Sequence, residues 1–164
     1  MTKSLPNTLT NIIENIINKE RSNDMNTLYF IHGVRTIYTI PDLFVFKTKN
    51  KAEKAKTKIC DFYSDMGFDY EYELKEVDIT NLNIKDDMIY CVVGLIERYE
   101  TQTWVFDTKA EADAKEKELQ NDPNCSVEAI FYISEINIRD GLDTMASVKE
   151  FIKEEKEFYD SLWS

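Results

Sequence analysis

The stretch Phe44-Val45-Phe46-Lys47-Thr48-Lys49 has a counterpart sixty positions later, Trp104-Val105-Phe106-Asp107-Thr108-Lys109. The correspondence continues into Ala52 and Ala112 without a gap. With the offset changed by one residue it also extends to the pairs Tyr29/Tyr90, Ile31/Val92 and Gly33/Gly94 upstream and Glu76-Val77-Asp78-Ile79/Glu135-Ile136-Asn137-Ile138 downstream. The offset changes where turns are expected, and turns are where duplicated units accept insertions. We therefore expect two similar units of about sixty residues each.

The first unit is predicted to contain two strands, a helix and a third strand, in the order ββαβ. Residues 27–40 and 43–47 are rich in β-branched and aromatic side chains, and Pro41 interrupts them, as in a hairpin. The helix is predicted from apolar residues at steps of three and four, namely Ala52, Ala55, Ile59, Phe62 and Met66. Gly67 is suited to end this helix, and the alternating residues 68–79 then form a closing strand.

The second unit is predicted to have the same order, with strands at 88–99 and 103–106, a helix at 109–120 and a strand at 126–138. The breaker Asn121-Asp122-Pro123-Asn124 separates the last two elements. We therefore place repeat 1 at 27–79 and repeat 2 at 88–138, with residues 80–87 as the connector.

Amphipathic helices are predicted on both sides of the repeats, at 8–21 and at 144–163, because apolar residues recur there at helical spacing. A three-stranded sheet covered by one helix leaves a face open, and the terminal helices supply the missing cover. We predict one domain spanning 1–164, of the α+β class, with mainly antiparallel sheet and helices at both ends packed on it. The alternative is that a terminal helix packs against a second copy and makes a homodimer.

The charge of the chain is large and unevenly distributed. The 164 residues include 31 acids against 20 lysines and arginines, a net charge of −11, which argues against a protein that coats nucleic acid or membranes. Residues 27–60 nevertheless sum to +5, whereas residues 61–88 sum to −7 and residues 89–164 to −9. The average therefore conceals one basic and two acidic stretches, and the basic stretch and the first acidic stretch suggest different partners.

The acidic stretch predicts a partner-binding face. If residues 68–79 form a strand, then Asp69, Glu71 and Glu73 line one side of it, about 6.5–7 Å apart. With Glu76 and Asp78 they make an acidic surface that could engage a basic protein, in the manner of proteins that mimic nucleic acid. The alternative is an exposed strand kept acidic for solubility and against edge pairing.

The basic stretch suggests the second candidate, a nucleic-acid-binding surface. The lysines concerned are Lys47, Lys49, Lys51, Lys54 and Lys58. On a helix the last three form one row beside the buried face, suited to contact phosphates. The alternative is a solvated helix flank whose lysine stems cover the rim of the core.

Enzymatic chemistry is not predicted. The chain has one histidine, His32, and lacks the glycine-rich, zinc-binding and nucleophile motifs of the common enzyme classes. We expect no catalytic residue, no metal and no cofactor. The cysteines Cys60, Cys91 and Cys125 lack paired spacing, which indicates reduced thiols in the cytoplasm, and no apolar run is long enough to span a membrane.

The sequence therefore predicts a cytoplasmic, non-enzymatic factor that binds another protein through its acidic surface, with nucleic-acid binding through the lysines as the alternative. The abundance of Lys, Asn, Ile, Asp and Glu is typical of AT-rich genomes. We read it as indicating a phage or mobile-element protein that inhibits or redirects a host complex, in the host cytoplasm if the protein is viral.

Overall fold

The computed structural model describes residues 9, 12, 26–35, 41–97, 100–125 and 129–163. Leu9 and Ile12 are helical and exposed, and the rest of the helix predicted at 8–21 lies outside the described residues. Residues 36–40, 98–99 and 126–128 of the predicted strands also lie outside them.

The first half of the chain forms a three-stranded antiparallel sheet, sheet 1. Its elements are β1 (Thr27–Gly33), β2 (Asp42–Phe46), helix α1 (Lys49–Asp65) and β3 (Tyr72–Asp78). The strand order is β2-β1-β3. In the register Tyr29 lies opposite Phe46, and Gly33 lies opposite both Asp42 and Tyr72.

The second half forms sheet 2, which is also three-stranded and antiparallel. Its elements are β4 (Met88–Glu97), β5 (Glu100–Phe106), α2 (Lys109–Gln120) and β6 (Ile130–Asn137), with the order β5-β4-β6. Helix α3 (Met145–Trp163) follows. The two antiparallel sheets and the three helices bounded here make the described chain an α+β protein.

The two sheets pack face to face, and the main core lies between them. Successive side chains of a strand point to opposite faces of the sheet, so Leu28 and Phe30 of β1 lie on the same face of sheet 1. They contact the inner face of sheet 2, where Ile89, Cys91 and Val93 of β4 are fully buried. The inner face of each sheet is thus covered by the other sheet, and helices cover the outer face of sheet 1.

A second core lies between the outer face of sheet 1 and two helices. Ile31 and Phe46 contact the buried side of α1, which consists of Ala52, Ala55, Ile59 and Tyr63. Helix α3 contributes the buried Val148, and the Phe151 ring meets the Phe44 ring edge-on with centroids 5.1 Å apart. The predicted apolar side of α1 is confirmed at Ala52, Ala55 and Ile59; its fourth buried member is Tyr63.

The two halves share local contacts as well as element order. Thr48 and Thr108 cap α1 and α2 in the same way, each accepting a hydrogen bond from the backbone N–H three residues later. One helical turn on, Ala52 and Ala112 are both fully buried. The first lysine of each helix pairs with the closing strand, as Lys49–Glu76 at 3.0 Å and Lys109–Glu135 at 3.3 Å.

The closing strands are shorter than predicted. β3 begins at Tyr72, four residues after the predicted start at 68. The physical reason is that β1 ends at Gly33, which lies opposite Tyr72, so the preceding residues have no neighbouring strand to pair with. They instead leave α1 through Gly67, at φ 88°, and Phe68 stacks on Tyr70.

Candidate functional site

The five predicted acidic residues are all exposed, but they do not form one row. Glu73 faces the sheet 2 side of β3, whereas Glu76 and Asp78 face the α1 side, because neighbouring positions on a strand alternate. Asp69 and Glu71 precede the strand. The evenly spaced row of Asp69, Glu71 and Glu73 on one strand was therefore predicted wrongly, since the strand begins after two of its members.

Three of the five acids already have partners within the chain. Glu73 lies 3.3 Å from Nε2 of His32, and Glu76 pairs with Lys49. Asp78 accepts hydrogen bonds from the backbone N–H and the hydroxyl of Thr80, and these bonds lower the pKa of its carboxyl. Among the described residues, Asp69 and Glu71 make no hydrogen bond or ion pair, so they are the carboxylates most available to a partner.

Among the described residues, Asp69 and Glu71 border a small cavity of about 170 Å³, together with Val34 and Tyr70. The Tyr70 ring meets the Tyr63 ring at a centroid distance of 4.7 Å. Burial raises the pKa of the Tyr70 hydroxyl, with its hydrogen bond to Tyr159 as the next contribution.

Helices α1 and α3 run in the same direction, and both end near this cavity. Tyr63, late in α1, donates a hydrogen bond of 2.9 Å to Glu155 of α3, and Phe68 packs against Tyr159. The negative ends of both helix dipoles therefore point to one end of sheet 1. We call this region the acidic end and define it by the exposed residues Asp61, Asp65, Asp69, Glu71 and Asp160.

The charges of α1 oppose its own dipole. Acids stabilise the first turn of a helix and bases stabilise the last. In α1 the first turn holds Lys49 and Lys51 and no acid, and the last turn holds Asp65 and no base. Helix α2 is mixed at both ends, with Glu111 beside Lys109 in its first turn and Lys117 beside Glu118 in its last. The charge pattern of α1 is thus not the one that helix stability favours.

The predicted lysines are exposed along α1 and just before it. Lys51, Lys54 and Lys58 form no ion pair within the described residues, while Lys49 is occupied by Glu76 and Lys47 precedes the helix cap. Lys54 and Lys58 also border a shallow groove that reaches Met145 at the start of α3. The structure thus brings these three lysines to one side of α1, with Lys58 one helical turn before Asp61 of the acidic end.

A polar network near the acidic end had no signal in the sequence. Arg35, just after β1, places Nε 3.0 Å from Asp42 and Nη1 2.6 Å from Glu155. Tyr72 donates to Asp42 at 2.8 Å, and Tyr63 donates to the other oxygen of Glu155. Burial raises the pKa of the Asp42 carboxyl, although the Arg35 charge opposes this shift. The network joins β2, α1, β3 and α3 through one guanidinium.

His32 contacts residues of both sheets. It is buried between the sheets, with Nδ1 2.9 Å from the hydroxyl of Thr103 on β5 and Nε2 beside Glu73. Burial lowers the pKa of His32, and the hydrogen bond and charge of Glu73 oppose the shift. Because its two ring nitrogens contact residues of different sheets, the ring joins the two sheets.

The described residues contain no group of three or more His, Cys, Asp or Glu arranged to hold a metal ion. Within the same part of the chain, no helix is long and apolar enough to cross a membrane. Cys60, Cys91 and Cys125 are free thiols. Phe158, Leu162 and Trp163 are exposed at the end of α3, and the homodimer interpretation stays a prediction.

Comparisons with protein-family models, curated proteins and solved structures give no match for this chain.

Proposed function

We propose that this protein is a non-enzymatic binding factor whose acidic end and β3 engage a basic surface on another protein. The observation that carries the proposal is the charge pattern of α1, which opposes the helix dipole at both ends, whereas each end turn of α2 holds one acid and one base. A charge at a helix end contributes about 0.3–1 kcal/mol, so the pattern in α1 lowers helix stability. The Asp65 carboxylate at the end of α1, and that of Asp160 in the last turn of α3, are better explained by a partner than by stability.

Available carboxylates support the same proposal. Asp69 and Glu71 have no partner among the described residues, and they flank a cavity with an aromatic wall, Tyr70. Complementary charge accelerates association and selects partners more than it adds affinity. Since Asp69 and Glu71 precede β3, we propose complementarity of charge and do not propose that the acids reproduce the phosphate spacing of nucleic acid.

The test removes three charges from this region without changing side-chain size. The variant Asp69→Asn, Glu71→Gln, Glu73→Gln should lose most of the partner that the full-length tagged protein captures from host lysate at low salt. The matched control Glu100→Gln, Glu118→Gln, Asp140→Asn removes three exposed charges from outside sheet 1 and should capture as the unchanged protein does. Equal capture by both variants would contradict the proposal.

The proposal extends to the setting of the protein and to its internal symmetry. Three free cysteines support a reducing compartment, so we propose the cytoplasm, and the Lys- and Asn-rich composition supports a phage or mobile-element source that acts on a host complex. The shared caps and ion pairs of the two halves support a tandem ββαβ repeat. Only the first repeat has the reversed helix charges, so we assign the binding role to it.

Nucleic-acid binding is the second candidate, favoured by the exposed and unpaired Lys51, Lys54 and Lys58 of the described α1. Because the whole chain is acidic, phosphate contact would be confined to this side of α1. Retention of the protein on immobilised DNA or RNA should then fall steeply with salt and disappear when the three lysines are replaced by glutamate. Failure to bind at low salt would dispose of this candidate.

A further inference from the structure

In the part of the chain that the structure describes, the outer edge of β3 has hydrogen-bonding groups without a strand partner. Within the described residues β3 pairs with β1 alone. The backbone N–H of Ile79 donates to the carbonyl of Asn26 at 2.9 Å. Hydrogen-bonded and non-hydrogen-bonded residue pairs alternate along an antiparallel pair of strands. The residues of β3 whose backbone groups bond to β1 are therefore 73, 75 and 77. The backbone groups of Leu74, Glu76 and Asp78 therefore point away from sheet 1.

A groove runs beside this edge. It has a volume of about 440 Å³ and lies between α1 and β3, with Leu74 on the strand side and Lys56, Cys60 and Asp61 among the helix residues. A free strand edge next to a groove that holds side chains is the arrangement in which proteins add an extended peptide as a further strand.

We infer that β3 accepts an extended, basic peptide segment as a fourth, antiparallel strand of sheet 1, with an apolar side chain seated opposite Leu74. This inference rests on the proposed function and specifies its binding mode. The partner chemistry follows from charge, because the exposed Glu73, Glu76 and Asp78 outnumber the single lysine of the strand, Lys75. Their contacts with His32, Lys49 and Thr80 are made near the surface, where a basic peptide can still approach the carboxylates. The same carboxylates disfavour a second copy, since two β3 edges would bring acids opposite acids.

The probe is the fluorescein-labelled heptapeptide Lys-Val-Arg-Thr-Leu-Arg-Ser. When it lies antiparallel to β3, its basic residues face Asp78, Glu76 and Glu73, and its leucine faces Leu74. Fluorescence anisotropy should show saturable binding to the full chain that weakens with salt. Methylation of the backbone nitrogens of the first arginine and the leucine removes two strand-pairing donors and no charge. That peptide should bind about tenfold more weakly, and equal binding of both peptides would overturn the inference.

Proline substitutions test the same edge from the protein side. The N–H of Glu76 points outward, so Glu76→Pro removes an edge donor without breaking a bond to β1. The matched control is Glu135→Pro, at the corresponding outward position of β6 in sheet 2. Glu76→Pro should lose about tenfold in peptide affinity, Glu76→Gln only about threefold, and Glu135→Pro nothing. If Glu76→Pro does not fold, the methylated peptide with the unchanged protein decides the question.

A thiol readout locates the bound peptide. Cys60 lines the groove, whereas Cys125, which is similarly exposed, follows α2 on the other half of the molecule. Saturating peptide should slow the alkylation of Cys60 by iodoacetamide, measured by mass spectrometry, and leave that of Cys125 unchanged. Unchanged alkylation of Cys60 would overturn the inference.

The inference and the proposed function fail in distinguishable ways. If lysate capture is lost in Asp69→Asn, Glu71→Gln, Glu73→Gln but intact in Glu76→Pro, the acidic end binds a partner and strand addition is wrong. If that triple variant captures normally, the proposed function itself is wrong. A dimer that Glu76→Pro dissociates would show that a second copy occupies the edge, which also overturns the inference.

Discussion

At the scale of single residues, His32 joins the two sheets as a neutral ring. Its nitrogens contact Thr103 of β5 and Glu73 of β3, and Lys75 also faces it, with Nζ donating to the Thr103 carbonyl at 3.1 Å. Burial opposes a charge on the ring, so the pKa of His32 in the folded protein lies below its ordinary value of 6.5. In the unfolded chain the ring binds a proton more readily than it does in the folded protein.

This difference predicts a pH dependence of stability. As the pH falls below about 6.5, the unfolded state takes up the proton first, so the free energy of unfolding decreases until the pH passes the folded pKa. Urea unfolding of the unchanged protein between about pH 7.5 and pH 5.5 should show this decrease. His32→Gln, which keeps an amide donor toward Thr103, should show a shallower slope. Identical slopes would contradict the assignment.

At the scale of elements, α1 and α2 form a natural comparison. Both are capped by threonine, but the third helical position is Lys51 in α1 and Glu111 in α2. A threonine cap followed by glutamate at that position is a capping box, in which the glutamate side chain reaches the backbone N–H of the cap. Helix α2 has this pattern in its sequence, whereas α1 has a lysine there.

We expect Lys51→Glu to raise the free energy of unfolding by about 0.5–1 kcal/mol, because it supplies the capping box and suits the helix dipole. The reverse change in the second half, Glu111→Lys, should lower it by a similar amount. Urea unfolding at neutral pH measures both. If neither variant changes stability, the charge pattern of α1 has no energetic consequence, and the proposed function loses its main support.

Most of the helices and strands could be predicted from the sequence, but few of the tertiary contacts between them could. The spacing of apolar residues at steps of three and four was enough to place α1 and its buried residues Ala52, Ala55 and Ile59, since local amphipathicity decides which side of a helix is buried. The start of β3 was missed because it depends on where β1 ends, a tertiary property. Arg35 and Glu155 are 120 positions apart, so no local pattern could pair them.

At the scale of the whole molecule, the Arg35 network attaches α3 to sheet 1. Glu155 is only 9% exposed and is bound by both Arg35 and Tyr63. Its removal would leave a partly buried guanidinium with one carboxylate, that of Asp42, and a buried hydroxyl with none. A half-satisfied network is less favourable than either a complete one or an apolar replacement.

Glu155→Ala should therefore lower the free energy of unfolding by about 2–4 kcal/mol, whereas Tyr63→Phe, which deletes one hydrogen bond and its donor, should lower it by about 1 kcal/mol. Urea unfolding of the single variants and of the double variant measures these losses. The double variant should lose less than the sum, because the two groups share a bond. Additive losses would contradict the coupling of Tyr63 and Glu155 through their hydrogen bond.

Because the sheets pack face to face, neither half of the chain can bury its inner sheet face without the other half. Each half presents a three-stranded sheet whose inner face, with Phe30 on one side and Val93 on the other, is covered only by the other half in the described structure. The two are joined through a turn at the exposed Asp86 and the half-buried Asp87, both at positive φ. A chain cut at this turn should yield fragments that are insoluble apart and recover the fold by complementation when mixed. In the uncut chain, the same surfaces allow two molecules to exchange halves.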